Sequence, residues 1–295
     1  MSTFIEIATA PKPGLVDSYG NGAHSDMDWA LFMVSASALA PYWPQQILDG
    51  MICGETGRFA DLFGKLRARG IKMEQAMLSA TGGINTHKGL IFALSLLAGA
   101  AGVCLNDGDC APEEIRKKSS EIAYPFMEED FERIKTRGAR RGRRGGQVTH
   151  GEKIFLKHGI GGIRSEAMKA FPSLGPSLEA YEKALGAGAR ANDAALLALL
   201  TLMTICEDTN VIHRAGIKFW RGEYLKRVKE TLKNFDPLEA DYGPLFRLDD
   251  FLVRNNASPG GAADLLSCTL FLYRSKIPEN VTPNEPPFTR RPSGL

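Results

Sequence analysis

Thr81-Gly82-Gly83-Ile84-Asn85-Thr86-His87-Lys88-Gly89 separates two apolar runs of helical period, one ending near Ala80 and the next reading Leu90 to Val103. A glycine-rich turn between such runs, with almost no alternating β-branched residues nearby, decides for a helical protein. Asn85 or Thr86 is placed to cap the second helix, where a short polar side chain satisfies an orphaned backbone N–H. His87 and Lys88 then fall in the first turn, where a partial positive charge favours acids by ~0.3–1 kcal/mol. An anion docked between the helix end and these two basic side chains would resolve the clash.

Outward from this junction the pattern stays helical. Residues 1–25 hold Pro11, Pro13, Gly14, Gly20 and Gly22 and read as an irregular segment. Ser25 or Asp26 is placed to cap a helix through Ala40, stopped by Pro41 and Pro44. A second helix is expected from Gln45 to Arg69, interrupted near Gly54 and Gly57, and a third from Lys72 to Ala80. Pro112, followed by Glu113 and Glu114, opens another. Later helices are expected at Leu178–Leu185, Ala191–Cys206, Val211–Leu232, Leu248–Arg254 and Ala262–Tyr273. The arginine-rich run at 137–144 reads as a loop, and the proline-rich residues 277–295 as an extended tail. No repeat or linker divides the chain, which predicts a single all-α domain over residues 1–295.

Composition narrows the function classes. A net charge of +2 over 295 residues gives no global field for nucleic acid or an anionic membrane. The strongest apolar run, Ala194 to Cys206, falls short of the ~20 residues that cross a bilayer and reads as a core helix. Five scattered cysteines without a C-x-x-C pair suit a reducing cytosol, so a cytoplasmic protein is expected. There is no P-loop, nucleophile elbow, H-E-x-x-H or dinucleotide fingerprint.

What remains is a set of polar clusters at helix boundaries. Lys12 and Asp17 lie on a backbone stiffened by Pro11 and Pro13, and His24 and Asp26 follow shortly. Thr149-His150-Gly151-Glu152 precedes Gly162-Ile163-Arg164-Ser165-Glu166, where Arg164 can fork onto phosphate oxygens or pair with Glu152 or Glu166. Glu207-Asp208-Thr209-Asn210 reads as the end of the most apolar helix, where carboxylates face a partial negative charge. A divalent cation reverses that penalty, with Arg214 one turn further on. Asp264 follows Ser258-Pro259-Gly260-Gly261. Cations at one helix start and anions at one helix end together point to a metal–polyphosphate.

In this order, PKPGLVD (11–17), GAHSDM (22–27), TGGINTHKG (81–89), THGE (149–152), GIRSEA (162–167), EDTN (207–210) and SPGGAADLL (258–266) resemble the triphosphoribosyl-dephospho-CoA synthase family. The resemblance implies transfer of the 5-triphosphoribosyl group of ATP to the ribose 2′-hydroxyl of 3′-dephospho-CoA, with loss of adenine. It implies a precursor of the citrate lyase or malonate decarboxylase prosthetic group, passed to an acyl-carrier-protein holo-synthase. A homodimer is a candidate assembly. Cleaving the N-glycosidic bond develops oxocarbenium character at C1′, which calls for a carboxylate, a base and an acid. On that basis Asp208 and Asp264, with Asn210, are expected to hold Mg²⁺. Lys12, Asn85, Thr86, Lys88, Arg164 and Arg214 would bind the nucleotide. Asp26 would act near C1′ or as base, and His24 or His87 would protonate adenine.

Two other readings fit the same residues. A Mg²⁺-dependent nucleotide ribosyl hydrolase would release adenine without an acceptor. A non-catalytic helical nucleotide-binding protein would hold ATP without turnover.

Overall fold

The structure, a computed structural model, describes residues 1–139, 149–239 and 241–276. In chain order its helices are α1 (Ser2–Ala8), α2 (Trp29–Leu39), α3 (Trp43–Gly54), α4 (Phe59–Ala80), α5 (Lys88–Asp107), α6 (Pro112–Ala139), α7 (His150–His158) and α8 (Ile163–Met168). They continue with α9 (Leu174–Gly186), α10 (Ala191–Ile205), α11 (Thr209–Ala215), α12 (Ile217–Phe219), α13 (Leu225–Asn234), α14 (Gly243–Arg254) and α15 (Gly260–Ser275). There is no strand among the described residues, and the helices form one multihelical domain.

Two buried helices organise it. In α5 nearly every residue from Leu90 to Cys104 is apolar and buried, because α3, α4, α6 and α15 surround it. By length and composition α5 would suffice to cross a bilayer, but its apolar faces are used up in this packing. Helix α3 crosses it so closely that a Cβ at Gly50 would sit 2.0 Å from the Gly99 carbonyl oxygen, and one at Gly102 2.0 Å from that of Ile47. Helix α10 is the second axis, enclosed by α9, α13 and α15. Helix α15 touches both axes and so ties the halves together.

Several boundaries differ from the sequence expectation. Residues 1–25 are not irregular throughout: Ser2–Ala8 is helical and packs on α15 and α2, burying Glu6 and Ile7. Asp28, not Ser25 or Asp26, caps α2, its Oδ1 accepting from the Leu31 N–H at 2.8 Å. The expected Val211–Leu232 helix is broken at Gly216, whose φ of 90° ends α11, and Trp220–Tyr224 winds as a π-turn before α13. Of the arginine-rich run, residues 137–139 continue α6; the remainder, and the tail at 277–295, lie outside the described residues.

Candidate active site

The first turns of α5, α11 and α15 face one cavity of about 610 Å³. Its walls include Lys12, His24, Asp26, Asn85, Thr86, His87 and Lys88, together with Asp208, Asn210, Arg214 and Asp264. Lys88 and Asp208 thus share a cleft although 120 positions apart in sequence. Six carboxylates (Glu6, Asp26, Glu166, Glu207, Asp208 and Asp264) face three cationic side chains, Lys12, Lys88 and Arg214.

Asp208 is buried and serves two helix ends. Its Oδ1 accepts from the Asn210 and Val211 N–H groups at 2.9 and 3.3 Å, and its Oδ2 from Ala262 at 3.0 Å. Burial outweighs these bonds and pushes its pKa up to about 6. Asp264 lies against the start of α5: a Cβ at Gly89 would fall 2.1 Å from its Oδ2. Burial, then repulsion from Glu6 and Asp208, holds the Asp264 carboxyl well above the usual carboxylate range, although the Leu90 N–H bonds to it.

These positions correct the two charge inversions expected from sequence. Helix α10 ends at Ile205, so Asp208 caps the start of α11 and faces a partial positive charge, the favourable arrangement. At α5 the acid missing from the first turn comes from Asp264 of another helix, while Lys88 pairs with Glu74. Reading each helix alone hides carboxylates supplied across an interface. The cap of α5 also differs: His87 holds the N-cap position, Asn85 Oδ1 accepts from the Lys88 N–H at 3.2 Å, and Thr86 Oγ1 donates to Ser35 Oγ at 2.6 Å.

His87 is almost wholly buried. Its Nδ1 lies 2.7 Å from Ser35 Oγ, and the Phe32 ring meets it edge-on at 5.1 Å. Its Nε2 is buried and has no hydrogen-bond partner among the described residues. Burial, reinforced by Lys12, lowers its pKa to about 3, so the ring is neutral. His24 is half-buried, with Nε2 2.8 Å from Ser258 Oγ and Nδ1 3.5 Å from Asp26 Oδ1. Burial and then Arg214 lower its pKa, against the opposing pull of Asp26.

The cations are less free than the sequence implies. Lys12 Nζ is buried against Glu6 Oε1 at 2.5 Å and the Glu6 carbonyl at 3.0 Å. Arg214 bonds the Ala23 carbonyl and the Asn256 side chain, and its Nε donates to the Asn256 carbonyl at 3.1 Å. Arg164 does not join the other cations. It lines an adjoining cavity of about 770 Å³ between α4, α5 and α6, and pairs with Asp130 at 3.2 Å, not with Glu152 or Glu166. Those two acids are engaged elsewhere: Glu152 completes a capping box with Thr149, and Glu166 accepts from the Ser173 N–H at 3.2 Å and from Ser173 Oγ at 2.6 Å.

The ATP:dephospho-CoA triphosphoribosyl transferase family matches residues 1–282. The chain belongs to this family. A probable 2-(5''-triphosphoribosyl)-3'-dephosphocoenzyme-A synthase of Streptococcus equi subsp. equi is 38% identical over 282 residues, covering 90% of this chain and 91% of that protein. The 2-(5''-triphosphoribosyl)-3'-dephosphocoenzyme-A synthase of Pectobacterium atrosepticum is 38% identical over 270 residues, 91% of this chain and 85% of its own. A Streptococcus mutans relative, also named a probable synthase, is 36% identical over 289 residues, 92% of each chain. No solved structure matches the chain. Sequence reasoning missed Glu6 on the cavity wall and Ser35 behind His87. Neither sits in a glycine- or proline-rich motif, and each reveals itself only through its contact with Lys12 or His87.

Proposed function

We propose that this chain transfers the 5-triphosphoribosyl group of ATP to the ribose 2′-hydroxyl of 3′-dephospho-CoA, releasing adenine. Family membership supplies the reaction. The observation that carries its location is the gathering of separate polar motifs into one acid-rich cavity. A triphosphate adds about four negative charges near neutral pH, which six carboxylates and three cations do not accommodate without a metal. Mg²⁺ commonly binds through one or two carboxylates plus substrate phosphates. Asp208 and Asp264, carboxyls whose pKa values desolvation raises, fit that role with the Asn210 amide beside them. Among the described residues no three His, Cys, Asp or Glu side chains converge, so the phosphates would complete the shell. Bound there, the ion would neutralise the triphosphate.

The protein's own groups then divide the work. The C1′–N9 bond breaks with its electron pair passing to adenine, and the C1′–O bond forms from the acceptor hydroxyl. The proton lost by the hydroxyl equals the one gained by adenine, so the transfer is proton-neutral. His24, neutral at rest, takes the hydroxyl proton, and Asp26 at 3.5 Å stabilises the imidazolium that forms. The imidazolium then passes that proton to the departing adenine. His87 stays neutral. Thr86 donates to Ser35 and Ser35 to Nδ1, which leaves a proton on Nε2 to hydrogen-bond the departing purine. Lys12 and Lys88 face the phosphates, and Arg214 holds the His24 loop.

The product is the prosthetic-group precursor of a citrate lyase or malonate decarboxylase acyl carrier protein, made in the cytoplasm and handed to a holo-synthase. The test is adenine release from ATP and Mg²⁺, measured chromatographically with and without 3′-dephospho-CoA. Acceptor-dependent release is expected, and its loss in Asp208→Ala. Release without acceptor supports the ribosyl hydrolase instead; ATP binding without any release supports the binding protein.

A further inference from the structure

The 770 Å³ chamber adjoins the acid-rich cavity, and the two share Lys88, Gly89, Ile163 and Thr209 as a common wall. Its character is different. Phe63 and Phe126 stack at 4.0 Å with ring planes 5° apart, and Phe131 and Phe155 pack at 4.4 Å. Its cations are Lys88, Arg67, Arg133 and Arg164, one more than its acids Glu74, Glu129 and Asp130. Arg67 is exposed on α4 and forms no ion pair with a described residue, while Arg133 reaches its acids only at 3.6 and 3.9 Å. A chamber of this size lies within the usual range of small-molecule sites.

We infer that this chamber between α4, α5 and α6 binds the acceptor nucleotide, 3′-dephospho-CoA, and delivers its ribose to the ATP cavity across the Lys88–Gly89 wall. The assignment rests on the transferase reading above and adds where each substrate lies. Three chemical parts of the acceptor match three features. A purine stacks on aromatic faces, a pyrophosphate meets Arg67 and Arg133, and the uncharged pantetheine arm follows the apolar wall of Phe92, Leu96 and Ile163. The alternative, ATP here and the acceptor beside Asp208, puts the more highly charged substrate among aromatics. It would also leave the six carboxylates of the first cavity, Asp208 and Asp264 among them, facing the less charged one.

The test is equilibrium binding of 3′-dephospho-CoA alone, and of ATP with Mg²⁺, to the wild-type chain and to Arg67→Ala and Gly70→Phe. Gly70 lines the chamber, and a Cβ there would meet only Ile91 Cγ2 at 3.7 Å, so a large side chain can fill the space. Both variants are expected to weaken 3′-dephospho-CoA binding tenfold or more and to leave ATP binding within twofold, the latter also reporting that they fold. Unchanged acceptor binding in Arg67→Ala together with Gly70→Phe overturns the assignment, as does selective loss of ATP. A wild-type chain that binds both nucleotides in this pattern yet releases no adenine upholds the assignment and overturns the transfer reading.

Discussion

Two chambers meet at the start of α5, and they are built by opposite means. The first is lined by short polar side chains on rigid turns, with carboxylates held by helix N-termini. The second is lined by phenylalanines and long arginines on the bodies of α4 and α6. Reactive chemistry needs groups fixed by glycines, prolines and caps, so the first chamber writes itself into short motifs. Holding a long, partly apolar ligand needs only suitable surface, which helices supply at scattered positions.

The largest expected effect separates the chambers by charge. Asp264→Asn removes one of the two carboxylates proposed to hold the metal while keeping its size. Adenine release should fall on the order of 10²–10³-fold, as when a single preorganised electrostatic contact is lost. Binding of 3′-dephospho-CoA without ATP should stay within about twofold, because Asp264 lines the first chamber and not the second. Equal loss of both would mean that the two cavities act as one site.

Lys12 sharpens the comparison from the side of stability. Its ammonium is buried against Glu6, so Lys12→Met leaves an unpaired acid and should destabilise the fold by about 3 kcal/mol. The double variant Glu6→Gln with Lys12→Met should recover most of that loss in urea unfolding. If the single variant is as stable as wild type and only ATP affinity falls, Lys12 is a phosphate ligand first and a structural partner second.

The sequence made the helical class legible because apolar residues recur at helical spacing in nearly every segment, and it singled out the motifs that contain His24, His87, Asp208 and Asp264. It misread how the helix ends beside them are capped. Asp208 looked misplaced at the end of α10 because the break at Cys206 and Glu207 carries no glycine or proline. The start of α5 looked short of an acid because Asp264, which supplies it, lies on another helix 176 positions beyond Lys88. Helix α1 was missed because seven residues ahead of a proline pair are too few to show a period. The second chamber was invisible: Arg67, Phe126 and Phe131 read as ordinary helix residues until α4, α5 and α6 are packed.

Gly89 stands on the shared wall and so tests whether the chambers are independent. Gly→Ala within a helix normally stabilises by about 0.5–1 kcal/mol. Here the added methyl would collide with Asp264 Oδ2, so Gly89→Ala should give no gain in the urea midpoint. Adenine release should drop about tenfold, or ~1.4 kcal/mol of barrier. A more stable and fully active variant would show that the carboxylate is free to move aside.

The smallest effect reports how dry the first chamber is. Folding lowers the His87 pKa to about 3, from about 6.5 in an unfolded chain. Between those values the unfolded chain binds a proton that the folded one refuses, so stability rises with pH there. The contribution is complete above the unfolded value and is lost progressively as pH falls toward the folded one, by about 1.4 kcal/mol per pH unit. His87→Asn should therefore flatten the acid limb, with a difference of about 1 kcal/mol between pH ~6 and ~5 in urea unfolding. An identical limb in both proteins would mean that water reaches the Nε2 face of His87. A ring that wet would titrate near its ordinary value, and its proposed part as a neutral donor to the purine would fall with it.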